Sequence, residues 1–303
     1  MKIFILGGSG FIGKQLTRLF YGQGHHVSSL SRSPLPSLGS RHQHYAVDLE
    51  KNHDAFSAIL NSDYIFHAAS STTPGSTQLS PKQEASINIY PILNLLAHLQ
   101  NSRSTLVFIS SGGGVYDTDQ APPYNELSLT GSKSYYGAGK LAIENFLFSY
   151  NKQTSNPVVV LRPSNIYGPG QKQKMKFGLV PKLLAHSLNQ ENVEIWGDGA
   201  AVRDYLYIDD FLLLCSQVIS TPFDSSRVHT FNVGKGQGHS ILDLCSEVER
   251  VTNNKINIEF CEARGVDARS IVLDCTKARD ELNWIAETDL PSGLSATWSW
   301  FQQ

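Results

Sequence analysis

Tyr136 and Lys140 stand four residues apart in "SYYGAGKLAIENF", which on a helix puts them one turn apart on a common face. An unperturbed phenol titrates at about 10. A neighbouring ammonium, helped by a cationic ligand, favours the phenolate and makes Tyr136 a usable general base. The same spacing on an isolated helix more often marks a solvated surface pair. Here it follows one βα unit after "LVFISSGGGVYD", in a chain that opens on a glycine-rich turn, and that setting favours the chemical reading.

The turn is "FILGGSGFIGKQL", with glycines at Gly7, Gly8, Gly10 and Gly13 between an apolar run and an amphipathic one. It fits G-x-G-x-x-G from Gly8 and G-x-x-G-x-x-G from Gly7. Glycines let the backbone turn tightly and approach a pyrophosphate, while the helix start offers unpaired N–H groups and a positive dipole end. Gly7, Gly10, Phe11, Ile12 and Gly13 are therefore expected to line a dinucleotide. Asp48 and Leu49 in "VDL", and Ala68 and Ala69 in "IFHAAS", fall at later strand ends, where such ligands lie.

Elements that would position these groups alternate along the first half. Strand-like runs cover 3–6, 27–30, 64–66, 106–109 and 158–161, and helical patterns cover 14–21, 87–99 and 141–150. The alternation predicts an α/β fold, a Rossmann-type doubly wound parallel sheet. After Pro163 the pattern loosens into short segments rich in Gly, Pro and Asn, as expected of a smaller C-terminal α/β domain. The expected division is 1–163, with a returning segment near 204–234, against 164–203 and 235–303.

Apolar residues make up 41% and charged residues 17% of the chain, which fits a soluble enzyme. A net charge of −2 provides no field for nucleic acid or anionic lipid. No run approaches about 18 apolar residues, so no membrane span is expected. Cys215, Cys245, Cys261 and Cys275 form no C-x-x-C pair and read as reduced thiols of a cytoplasmic protein. His42 and His44 share a strand face but lack partners for a metal site.

Eight segments in order, "GGSGFIG", "FHAAS", "FISSGGGVY", "YYGAGK", "LRPSNIYGPGQ", "IWGDGAAVRDYLYIDD", "FNVGKGQGHS" and "VLDCTKARDELNW", resemble the extended short-chain dehydrogenase/reductases. The resemblance is to their nucleotide-sugar epimerase/dehydratase branch. It implies a nicotinamide cofactor, with Tyr136 moving a sugar hydroxyl proton and Lys140 holding Tyr136 and the cofactor ribose. It also places Pro163 at the cofactor. Asn165 and Arg203 would contact a substrate diphosphate, with Arg264 beside them. Trp196 would stack on the base and Asp267 would hold the nucleoside ribose. Guanidinium suits phosphate because its forked donors match two oxygens. Core packing for Trp196 and a surface ion pair for Arg203 are the plainer alternatives.

The chain departs from this branch twice. The catalytic hydroxyl of the branch lies four residues before a tyrosine that is here Tyr116, and that position is Gly112. Ser111 is then the expected hydroxyl and Ser110 the fallback. NAD-binding members end their second strand on an acid, whereas "SSLSRS" supplies Ser31 and Arg32. Without a carboxylate to repel it, a 2′-phosphate can be held by arginine, which favours NADP over the NAD of the branch.

The expected activity is that of a nucleotide-diphospho-sugar 4-epimerase in polysaccharide biosynthesis, working by transient oxidation at C4. An NADPH-dependent 4-ketoreductase is the alternative, and a non-catalytic dinucleotide sensor fits the preserved Tyr136 and Lys140 less well. Dehydration needs an acid/base pair where this chain has Gly112, Gly113 and Gly114. A homodimer is expected, joined through the helices spanning 87–99 and 136–150, although their apolar residues are also explained by packing on the protein's own sheet.

Overall fold

A computed structural model describes residues 1–48, 53–73, 80–171, 178–263, 265 and 268–303. From the N-terminus run β1 (Lys2–Leu6), α1 (Phe11–Gly22), β2 (His26–Ser31), β3 (His42–Ala46), α2 (His53–Leu60) and β4 (Tyr64–His67). Next come α3 (Pro81–Glu84), a π-helical turn (Ala85–Ile89), α4 (Tyr90–His98), a 3-10 turn (Leu99–Asn101), β5 (Thr105–Ile109), α5 (Gly112–Val115) and α6 (Tyr135–Thr154). The chain continues through β6 (Val158–Pro163), β7 (Asn165–Tyr167), α7 (Leu179–Asn189), β8 (Val193–Trp196), β9 (Val202–Tyr207), α8 (Ile208–Ser220) and β10 (Val228–Val233). It closes with β11 (Gly238–Ser240), α9 (Ile241–Thr252), β12 (Ile258–Cys261), β13 (Ser270–Ile271), α10 (Thr276–Leu282) and α11 (Leu290–Phe301).

The chain divides into two compact units. The first holds 1–111, 135–162 and 214–231, and the second 112–134, 163–213 and 232–303. Residues 112–134 lie inside the expected 1–163 segment but group with the second unit, and the returning segment is 214–231.

The first unit is built on a seven-stranded sheet of order β10-β6-β5-β4-β1-β2-β3. The pairs from β6 across to β3 run parallel. This is the expected doubly wound sheet, and the order reverses between β1 and β4, where such folds bind nucleotides. Its central strands are buried on both faces, so β6 reads as the unbroken run VVVLRP. On one face Ala55 and Ile59 of α2, Ile92, Leu95 and Leu96 of α4, and Ile143 and Leu147 of α6 pack on Phe4, Ile65, Leu106, Phe108 and Val160. Each such side chain contributes about 1.5–3 kcal/mol on burial.

The inward residues of α6 recur as Lys140, Ile143, Leu147 and Tyr150, the helical spacing that turns Tyr136 and Lys140 toward the sheet. The helix expected over 87–99 is interrupted. Pro91 lacks an N–H and sits in the first turn of α4, and the preceding residues form the π turn.

The second unit contains β9 flanked by β11 and β13, with β7 also pairing β9, and a separate two-stranded β8-β12 pair. Its core hub is Asn232, fully buried. The Tyr116 hydroxyl donates to Asn232 Oδ1 at 2.5 Å, and Asn232 Nδ2 donates to the carbonyls of Tyr124 and Asp274 at 2.8 and 3.2 Å. Tyr116 stacks on Tyr124 at 5.2 Å between ring centroids.

Candidate active site

The glycine turn closes directly over the end of β1. The N–H groups of Gly7 and Gly8 both donate to the Leu30 carbonyl, at 2.8 and 3.0 Å, and Gly10 N–H donates to Gly7 O at 2.9 Å. Gly7 has φ 89°, a region that favours glycine. A Cβ added there would lie 2.8 Å from Ala69 N, so the loop after β4 closes on the turn at Ala68 and Ala69. A Cβ on Gly13 would collide with Gly7 O. Gly10 starts α1 with extended backbone and no side-chain cap. A backbone cradle that side chains would fill, in front of an uncapped helix start, fits the pyrophosphate of a dinucleotide. Phe11 is buried and Ile12 half-buried, while Asp48 at the end of β3 is exposed. Leu49 lies outside the described residues.

At the outer edge of the sheet Ser31 is buried and Arg32 exposed. Ser31 Oγ donates to Ser33 O at 2.8 Å, and His44 Nε2 lies 3.3 Å from Ser31 Oγ. Ser29 Oγ lies 3.1 Å from His42 Nε2 and 2.8 Å from His44 Nδ1. The two histidines on one strand face are thus tied together by serine hydroxyls. Burial, then the neighbouring His44, holds His42 below the ordinary histidine value.

The candidate reactive groups lie where β5 ends and α6 begins. Ser111 is buried, and its hydroxyl acts on the Tyr136 phenol to favour the ionised form. Burial pushes the Tyr136 phenol up to about 12, opposed by the Ser111 hydroxyl and reinforced by the Glu84 carboxylate. Lys140 is 6% exposed and its Nζ donates to Ile109 O at 2.8 Å. The ammonium also stands 4.8 Å from the Phe108 ring centre and 5.8 Å from that of Tyr136. Burial brings Lys140 down to about 8, against the pull of Glu84 and Glu144. Burial thus disfavours the charged form of both side chains, so a phenolate at Tyr136 depends on neighbouring positive charge.

The neighbouring serine is used differently. Ser110 Oγ donates to Glu144 Oε1 at 2.5 Å, and Glu144 pairs with Arg162 through Nη2–Oε2 at 2.6 Å and Nε–Oε1 at 3.2 Å. His67, buried at the end of β4, is held at about 3, first by burial and then by the Lys140 charge. Sequence reasoning did not single out Glu84, Glu144 or His67. The signals that mark them are contacts across strands and helices that no local pattern carries.

In the second unit Pro163 ends β6 and Asn165 begins β7, where Asn165 Nδ2 donates to Asp204 O at 2.9 Å. Trp196 is 44% exposed at the end of β8, which sets aside the core-packing alternative. Arg203 lies on β9, with Nη1 donating to Val202 O at 2.8 Å. The next residue, Asp204, is fully buried and its carboxylate accepts from the N–H groups of Lys235, Gly236 and Leu273 and from Ser164 Oγ. That acid fixes the backbone carrying Arg203. Arg264 and Asp267 lie outside the described residues.

Comparison with known proteins decides the family, because residues 3–234 match the NAD dependent epimerase/dehydratase family. The chain belongs to this family. It is therefore an enzyme of an NAD-dependent class, and the cradle around Gly7, Gly10 and Gly13 suits that cofactor. It is similar to a UDP-glucose 4-epimerase of Mycolicibacterium smegmatis, 29% identical over 100% of this chain and 99% of that one. A dTDP-4-dehydro-6-deoxyglucose reductase of Escherichia coli is also 29% identical, over 96% and 95%. Among solved structures, a UDP-glucose 4-epimerase of Thermotoga maritima with UDP-glucose superposes with TM-score 0.91 at 27% identity, over 100% and 99% of the two chains. Among the described residues no helix is long and apolar enough to cross a membrane.

Proposed function

We propose that this family member is a nucleotide-diphospho-sugar 4-epimerase of the UDP-hexose type. The observation that carries the reading is the buried Lys140 one turn from Tyr136, its ammonium 5.8 Å from that ring and Ser111 buried nearby, in the same unit as a glycine cradle. Bound NAD would supply the hydride acceptor and donor. Tyr136 takes the proton from the sugar C4 hydroxyl and returns it after the sugar has been re-reduced on its other face. Ser111 orients that hydroxyl and the phenol. Lys140 holds a positive charge beside the phenolate, which lowers the energy of the ionised form. Arg203, Asn165 and Trp196 of the second unit, with Arg264 and Asp267, would bind the diphosphate, base and ribose of the substrate. The UDP-glucose 4-epimerase relatives, matched over nearly their whole length, support this choice.

Ser31 and Arg32 favour a second reading, an NADPH-dependent 4-ketoreductase, as does the 29% identical reductase. An epimerase regenerates its cofactor, whereas a reductase consumes it. The purified protein given UDP-glucose should form UDP-galactose, read by proton NMR, with no cofactor added and none consumed. NADPH oxidation by a 4-keto nucleotide sugar without any epimerisation would favour the reductase.

The same proposal includes a homodimer. Ile87 of the π turn, Tyr90 of α4, and Phe146 and Phe148 of α6 are exposed, with Tyr90 at 63%. A second copy covering them fits the expected helical interface. A dimer mass in light scattering is the expected result, and a monomer at micromolar concentration would remove it.

A further inference from the structure

Glu84 takes no part in the proton transfer proposed above, yet it is buried against the helix that carries it. It is 4% exposed, and Asn88 Nδ2 donates to its Oε1 at 2.9 Å while Oε2 has no hydrogen-bond partner among the described residues. Asn88 is itself clamped: its Nδ2 donates to Thr72 Oγ1 at 2.7 Å and its Oδ1 accepts from Ser71 N–H at 3.1 Å. A capping box, Ser80 with Gln83, starts α3 and delivers Glu84 at its end, and the π turn follows at once. Such turns often mark functional positions.

Gly139 faces this carboxylate from α6. A Cβ on Gly139 would lie 2.5 Å from Glu84 Oε1 and 3.0 Å from its Cδ. Glycine weakens a helix interior. Here it leaves room for a carboxylate against the backbone between Tyr136 and Lys140.

A buried carboxylate with an unbonded oxygen is unfavourable unless a nearby charge compensates it. The charged and titratable groups around Lys140 are Tyr136 and Glu144 on its own helix, Glu84 from α3, His67 from β4, and Arg162 of β6 through Glu144. Glu144 is already paired with Arg162 and bonded by Ser110. His67 is neutral at any working pH. That leaves Glu84 to answer the Lys140 charge.

We propose that Glu84 is a positioning residue whose carboxylate, seated against Gly139 and clamped by Asn88, keeps Lys140 in the ammonium form beside Tyr136. The inference rests on the reading of Tyr136 and Lys140 as the working pair. Burial alone would carry the lysine further below its ordinary value, and the Glu84 charge is the first influence opposing it. Removing that charge lowers the pH at which the ammonium is lost.

Lysine-labelled protein with its cofactor, followed by proton–carbon correlation NMR, reads this directly. The Lys140 ε-methylene signal is the one lost in Lys140→Arg. Glu84→Gln should lower its titration midpoint by about one pH unit or more, and Glu84→Asp should restore it toward the wild type. The basic limb of the kcat profile should move the same way, whereas a merely structural role would lower kcat at every pH alike. An unchanged midpoint in a folded Glu84→Gln protein overturns the proposal. If that variant does not fold, Gly139→Ala, which drives the carboxylate off α6, must lower the midpoint, and an unchanged value there overturns it equally. The titration needs no substrate. A wild type inert toward nucleotide sugars would sink the functional reading and leave the role of Glu84 to be decided by the titration.

Discussion

The first unit contains two polar regions that handle charge in opposite ways. Where β5 meets α6, Lys140, Glu84, Glu144 and Arg162 are all buried or nearly so, and each is aimed by a named partner. At the sheet edge, Ser29, Ser31, His42 and His44 form a hydrogen-bonded group with no buried ion pair among the described residues, and the nearby Arg32 is exposed. Burying charge is costly, and it is concentrated where the proposed proton transfer would take place. The edge, built of serines and histidines beside the exposed Arg32, is suited to telling one cofactor from another and can be changed without upsetting the centre.

The largest effect should come from the centre. Tyr136→Phe removes the proton carrier and should lower turnover by about a hundredfold or more, with the far-UV circular dichroism unchanged. Near-wild-type turnover would mean that the buried charges serve only the fold.

The centre also predicts a pH dependence of stability. His67 has a folded-state value of about 3, below its ordinary 6.5, so the unfolded chain binds the extra proton between those values. The stability contributed by neutral His67 is whole above about 6.5 and is lost as the pH falls toward 3, at up to about 1.4 kcal/mol per pH unit. Denaturant titrations at a series of acidic pH values should show this slope, and His67→Phe should flatten it. An equal slope in both proteins would place the acid sensitivity elsewhere.

Ser110 and Ser111 divide the centre more finely. Ser111→Ala should lower turnover with little change in melting temperature. Ser110→Ala should remove a hydrogen bond to a carboxylate and destabilise the fold by about 1.5–3 kcal/mol while leaving the pH profile intact. The reverse pattern would exchange their roles.

The edge should give the mildest effect. If Arg32 holds a 2′-phosphate, NADPH should bind more tightly than NADH by about tens-fold, the scale of one charge-assisted contact. Arg32→Ala should erase most of that preference and Ser31→Asp should reverse it. Tightly held NAD, with no response to Arg32→Ala, would leave Arg32 a surface charge and the epimerase reading unaltered.

What could be read from the chain was what is local. The glycine turn, the Tyr136–Lys140 spacing and the buried run of β6 each carry their reason within a few neighbours. Strand β3, HQHYA, shows in the sequence only through the shared face of His42 and His44, because its edge position leaves it mostly polar. The choice between Ser110 and Ser111 turns on Glu144, 34 residues from Ser110. Glu84 is legible only once α3 is packed on Gly139. Long-range contacts decide which of several equivalent side chains acts, and a linear pattern does not hold them.

The central claim is that this enzyme oxidises the sugar at C4 and returns the same hydride. UDP-hexose carrying deuterium at C4, incubated with the purified protein in ordinary water, tests it most directly. The epimerised product should retain its deuterium at C4, read by NMR and mass. Epimerisation with deuterium lost to solvent, or no epimerisation of any UDP-hexose by a folded, NAD-loaded protein, would contradict it.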